Sequence, residues 1–257
     1  MIQQPGIFPK LLLKMAPLFL CASLLSSCAM PKTSTDHLIS GKESFKAGDY
    51  KTAEADFKEA LRLAPNDVTV KATSTNNLGV IFNEEGRYDE AITMLREAIT
   101  VDPKNAIAHY VLANALSKKG KFDEALPEAQ TATELDKTEP AAFRAVGEAA
   151  LGKGDAPLAI GAYRSAIELD PNNEQEHHRL AQALEEVQDW EGAIEEERKA
   201  LELNPDNVDA RINLAVALHK RGNGDESIDE LKTVLKKDSK NADAKRYLEA
   251  FAHDPKG

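Results

Sequence analysis

The chain has 257 residues, a formal net charge of −11, and a hydrophobic share of 42% that includes only 5% aromatic residues. So acidic a composition argues against nucleic acid as a partner, because phosphate backbones need clustered Lys and Arg, and it offers anionic lipid headgroups no attraction. The only cysteines, Cys21 and Cys28, lie near the N-terminus, so no disulfide framework organises the rest.

Residues 1–27 differ in composition from everything after them. No acidic residue precedes Asp36, and Lys10 and Lys14 stand before the apolar run MAPLFLCASLLSS. A charged leader followed by an apolar stretch too short for a comfortable membrane span reads as a signal peptide. Leu25-Ser26-Ser27-Cys28 comes next. It resembles the lipobox of bacterial lipoproteins, which implies that Cys28 becomes a multiply acylated N-terminus. Two or more acyl chains anchor a protein stably, at about 0.8 kcal/mol per buried methylene. Ala29 after the cysteine resembles the outer-membrane sorting choice, so the expected location is the cell envelope, at the outer membrane facing the periplasm. Cleavage would remove Lys10 and Lys14 and no acid, moving the formal charge from −11 to −13. Residues 28–36 are then the lipidated cysteine and a short tether. The alternatives are an ordinary secretory signal with an incidental cysteine, giving a soluble product, or an uncleaved anchor.

Past the tether the chain repeats itself. Pro65, Pro103, Lys137, Pro171, Pro205 and Ser239 close successive units at intervals of 34 residues, except for a first interval of 38 whose surplus falls between Pro65 and Leu78. Each unit carries a small residue early on (Gly41, Gly79, Ala113, Gly147, Ala181, Ala215), which lets helices approach closely. Gly48, Gly86, Gly120, Gly154, Gln188 and Gly222 follow where a turn between two helices wants a left-handed residue. Tyr50, Tyr88, Phe122 and Trp190 come two residues later, and then alanines at an interval of seven, a spacing that returns to nearly the same helix face.

This pattern resembles the tetratricopeptide repeat, in six units over residues 37–67, 72–105, 106–139, 140–173, 174–207 and 208–241. The resemblance implies an all-α, right-handed superhelical solenoid in which each helix pair buries its apolar face against its neighbours. Residues 242–257, with Ala244, Leu248 and Phe251 on one face, are the expected capping helix and tail. Glu197 departs from the pattern, standing where the family prefers a large apolar residue. Pro127 is a second irregularity; with Asp123 as N-cap it would fall in the first turn, where little hydrogen bonding is lost. The run Glu195-Glu196-Glu197 reads as a solvated helix face.

No phosphate loop, nucleophile elbow, metal-binding His pair or Cys cluster occurs. His177 and His178 are adjacent and diverge by about 100° on a helix, which suits a shared metal poorly. The histidines read as surface or groove residues, and no enzymatic activity, metal or cofactor is expected. The resemblance further implies that the first helix of each unit lines a concave, partner-binding face. Its inward positions carry Asn76, Asn77, Val80 and Asn83 in the second unit, Tyr110, Val111 and Asn114 in the third, Arg144 and Glu148 in the fourth, His178, Arg179 and Gln182 in the fifth, and Ile212, Asn213, Val216 and His219 in the sixth. Asparagine amides can read an extended backbone by donating and accepting together, and the two arginines can pair with an acidic group. The sequence thus reads as a non-catalytic interaction scaffold, lipid-anchored at the envelope, that holds a peptide or helix of an envelope protein and assists complex assembly. Its architecture is similar to that of six-repeat lipoproteins acting as pilotins. A self-associating structural protein is the alternative.

Overall fold

A computed structural model describes residues 32–253; Cys28 and the expected signal peptide lie outside the described residues. Helix pairs follow one another without interruption: α1 (Ser34–Lys46) and α2 (Tyr50–Leu63), α3 (Val68–Glu84) and α4 (Tyr88–Val101), α5 (Ala106–Lys118) and α6 (Phe122–Leu135), α7 (Pro140–Gly152) and α8 (Ala156–Leu169), α9 (Glu174–Glu186) and α10 (Trp190–Leu203), α11 (Val208–Lys220) and α12 (Gly224–Lys237), then α13 (Ala242–His253). Among the described residues there is no strand, and no helix is long and apolar enough to cross a membrane.

Local chemistry sets the boundaries. Asp67, Asn105, Asn173 and Asn207, each two residues after a unit-closing proline, cap α3, α5, α9 and α11 by accepting a backbone N–H of the first turn, which satisfies a donor that would otherwise be orphaned. Thr33 and Asp36 form a reciprocal capping box, so α1 starts at Ser34 rather than at the expected boundary of 37. The four surplus residues of the second unit form an extra N-terminal turn, making α3 17 residues long where α1, α5, α7, α9 and α11 have 13.

Between the helices of each pair, Gly48, Gly86, Gly120, Gly154 and Gly222 take φ values of 71° to 91°, and Gln188 takes φ 60°. The residue after each then donates its N–H to a carbonyl five positions back, as Arg87 does to Phe82 and Asp189 to Leu184. Pro127 departs from expectation. Lys121, not Asp123, occupies the N-cap of α6 and makes no side-chain cap, so the proline sits inside the helix, beyond its first turn. The pyrrolidine nitrogen removes one i→i−4 bond, and α6 nonetheless continues to Leu135.

Within a pair, the early small residue faces a residue of the second helix. A methyl added at Gly79 would lie 2.5 Å from Leu95, at Gly147 2.6 Å from Tyr163, and at Gly41 3.0 Å from Phe57. Glycine here is a packing requirement. Each second helix also packs on the first helix of the next unit, so the buried residues run on along the array. Ala244 and Phe251 of α13 cover Ile212, Ala215 and Leu231 at its end.

Candidate functional site: the wall of first helices

Contacts between units define an inner side. α1 touches α3, α3 touches α5, α5 touches α7, α9 touches α11 and α11 touches α13, whereas second helices of successive units make no comparable contact. The first helices are therefore the crowded inner layer, and the second helices splay outside them.

The expected site residues fall on this wall but divide by fate. Val111 is only 5% exposed and belongs to the core, since its helix face turns toward the neighbouring units; it presents nothing to a partner. Val80 and Tyr110 are half-buried against the same core, and burial pushes the Tyr110 hydroxyl above its ordinary range. Asn76 Oδ1 accepts from Asn105 Nδ2 at 3.1 Å, tying the second unit to the third. Asn77 donates to the carbonyl of Thr73 at 2.7 Å within its own helix. Neither amide is fully free to read a peptide.

The polar residues of the last three units form a chain of pairs. Arg144 of α7 donates to Glu176 of α9 at 3.0 Å, and Arg179 of α9 reaches back to Glu148 of α7 at 3.2 Å. His178 Nδ1 meets both oxygens of Glu197 at 2.9 Å, and Gln182 lies 3.1 Å from His178 Nε2. Asn213 also supplies a hydrogen bond to Glu197. Glu197 is 0% exposed, so the acidic run is not uniformly solvated as its sequence implied: Glu195 is open, Glu196 turns to His177, and Glu197 enters the core. Burial first of all raises the carboxyls of Glu185 and Glu197 to about 7, and Glu185 is raised further by the charge of Glu197. The two arginines serve the wall itself before they can serve a ligand.

The sequence reading named Asn83, Asn114 and His219 as inward positions but missed two features. The first is a stripe of polar atoms without partners. Asn83 Oδ1, Ser117 Oγ and Glu185 Oε1 lie on α3, α5 and α9 at multiples of the 34-residue interval, with Leu151 of α7 in the intervening place and Asn114 Oδ1 one turn before Ser117. His219 Nδ1 continues the series on α11, but its ring is stacked on Phe251 at 3.7 Å, so α13 closes the stripe. Their common register was the available signal, though one unit alone shows nothing.

The second feature is structural. His109 and His177 are buried, not surface or groove residues. His109 places Nδ1 2.6 Å from Glu128 and Nε2 3.0 Å from the Pro103 carbonyl; His177 does the same with Glu196 at 2.6 Å and Pro171 at 3.2 Å. Arg211, in the same register, donates to Glu230 at 2.6 Å and to the Pro205 carbonyl at 3.0 Å. Each such group ties a first helix to its second helix and to the turn that precedes it.

Repeated helix pairs around an inner wall, with no cluster of metal-ligating side chains among the described residues, define an all-α repeat scaffold. The sequence family described as tetratricopeptide repeat matches residues 44–104, 82–148 and 188–250, more than half of the chain. The chain belongs to that family, whose members generally mediate protein–protein interaction. Solved structures share the fold at low identity. PilF of Pseudomonas aeruginosa is similar with a TM-score of 0.70 and 15% identity, over 84% of this chain and 97% of that one. YrrB, described as a TPR protein with an unusual peptide-binding site, gives 0.62 and 18% over 75% and 97%. MamA of Desulfovibrio magneticus RS-1 gives 0.59 and 22% over 70% and 99%. No curated protein matches the chain in sequence.

Proposed function

We propose that this chain is a non-catalytic scaffold whose inner wall takes up an extended or helical segment of a partner protein, and that an acylated Cys28 holds it at the cell envelope, where it assists assembly of a larger complex. The stripe of Asn83, Asn114, Ser117 and Glu185 carries the reading. A buried polar atom without a partner costs about 1–3 kcal/mol. A segment laid across α3, α5, α7 and α9 brings backbone N–H donors and side-chain groups along the same line. The peptide-binding site in the description of YrrB is in keeping with this use of the fold. The lipobox-like Leu25-Ser26-Ser27-Cys28 supports the anchor, and Ala29 the outer membrane.

A photoreactive residue in place of Asn114, crosslinked in cells and read by mass spectrometry, tests the wall. One dominant envelope protein is expected, lost when Asn83→Ala and Ser117→Ala are combined. Neither atom has an internal partner, so that double variant should fold normally. Crosslinks to a second copy alone would favour self-association, and none at all would overturn the inner-wall reading. In the same cells Cys28→Ala should move the protein to the soluble fraction; unchanged membrane association sinks the anchor.

A further inference from the structure

We propose that a second copy of this chain docks on the outer face of α6 and α8, with α8 of one copy lying antiparallel to α8 of the other about a twofold axis. The contact uses second helices only, so it is independent of the inner wall and leaves that wall open in both copies.

Two residues on this face have no explanation inside one copy. Glycine within a helix lowers its stability, and elsewhere the loss has a packing reason: a methyl added at Gly41, Gly79, Gly147, Gly152 or Gly192 would lie 2.2 to 3.0 Å from a side chain. Gly161 sits in the middle of α8, is exposed, and would meet nothing within 4 Å if it carried a methyl. In the same register of α6, 34 residues earlier, stands the exposed Pro127, which removes a helical hydrogen bond. Both residues weaken their helices and neither fills the core. What they share is a low outer surface on which another body can come close.

This face is also where the outer ion pairs stop. Arg96 of α4 pairs with Glu124 of α6, and Arg198 of α10 with Glu226 of α12, each 28 residues on. The same interval from Gln130 reaches Leu158, and from Arg164 it reaches Gly192, so neither place can hold such a pair. Pro157-Leu158 opens α8 where α4 and α12 carry Asp89-Glu90 and Asp225-Glu226, and Gly161 stands where α10 and α12 carry Glu195 and Asp229. Pro127, Gln130, Thr131, Pro157, Leu158 and Gly161 therefore form an uncharged patch on a chain of which 29% is charged. Depletion of charge at the centre is the compositional mark of a protein interface.

The pattern of α8 specifies what covers the patch. Gly161, Arg164, Ser165 and Glu168 follow at intervals of three and four along its outer face, in the order small, cation, small, anion. The Ser165 hydroxyl folds back on the Gly161 carbonyl at 3.2 Å and asks for no partner. Neither Arg164 nor Glu168 forms an ion pair among the described residues. With a twofold axis between Arg164 and Ser165, Gly161 faces Glu168 of the second copy and Ser165 faces Arg164 of the second copy. Each long side chain then lies over a small residue, which lets the two helices approach. Arg164 comes within one turn of Glu168 of the second copy, and the symmetry makes that ion pair twice. One surface thus supplies both shapes and both signs of charge, which is what a contact between identical copies requires. Arg164 and Glu168 cancel, and the remainder of the chain carries the whole −11. Two copies repel across their acid-rich faces and can meet at this neutral one.

Sedimentation equilibrium of the full chain in nonionic detergent, over a wide range of concentration, tests the contact. A reversible equilibrium between monomer and dimer is expected. Arg164→Glu and Glu168→Arg should each weaken it about tenfold or more, and the double variant, which restores opposite charges across the axis, should recover the wild-type association. Gly161→Gln should abolish the dimer and, at a concentration where the wild type is monomeric, raise the melting temperature, because the new side chain disturbs no neighbour and favours the helix. A packing role for Gly161 within one copy would instead lower it. A chain that stays monomeric, a dimer indifferent to the single reversals, or a double variant as weak as the single ones overturns the proposal. So does a photoreactive residue in place of Thr131 that captures another protein in cells and no second copy.

Discussion

A carboxylate at position 197 fills a place given to Phe57, Leu95, Ala129 and Leu231 elsewhere, and it is fully buried beside His178 and Asn213. Such burial strongly disfavours the charged form, and with Glu185 nearby the two carboxyls hold their protons to about pH 7. An unfolded chain releases them near 4.5. Between those values the native state binds more protons at these two groups than the unfolded one, so the stability they contribute is fully present below about pH 4.5 and is lost as pH rises through 7. Glu185→Gln, at a group whose Oε1 already lacks a partner, should flatten the decline in urea midpoint between pH 5 and 8. If wild type and variant decline in parallel, Glu185 is not a source of the slope.

At the scale of the element, each helix pair is held by more than its apolar stripe. The ties made by His109, His177 and Arg211 run to a carboxylate 19 residues on and to a carbonyl six residues back. His37 and Asp56 repeat the first half at 2.6 Å. Both nitrogens of His109 and of His177 face acceptors, and Arg211 meets the same pair of acceptors with a permanent cation. His177→Arg should therefore keep both contacts and the wild-type urea midpoint. His177→Ala should cost about 1–3 kcal/mol, because Glu196 and the Pro171 carbonyl lose a buried donor. Equal loss in both variants would show that shape, not donor pairing, matters at this place. The interval of 19 was present in the sequence but mute, because it has meaning only once the turn fixes how a second helix lies on its first. The turns themselves were legible, since glycine at a left-handed position is local chemistry; the Asx caps two residues after the prolines are equally local but went unread. Glu197 was recognisable as a misfit, yet nothing local showed that His178 and Asn213 would surround it. The unpartnered stripe depends on the absence of contacts, which the sequence does not display.

For the whole molecule, an array whose units touch only their neighbours has no centre, so its ends matter in proportion to what they cover. At the C-terminal end the cover is α13. Phe251 is 7% exposed, stacks on His219 at 3.7 Å, and closes a cluster with Ile212, Leu231 and Val234. Truncating a buried phenylalanine costs about 3–5 kcal/mol through lost transfer energy and the cavity left behind. In a globule with one core that loss would loosen every element together. Here Phe251→Ala should speed backbone hydrogen exchange in α11 and α12, with an effect that fades through α10 and α9 and leaves α3 to α6 near their wild-type protection. A uniform rise in exchange from α3 to α12 would mean that the six units unfold as one, and that coupling between neighbours is strong enough to make the array behave as a single cooperative body.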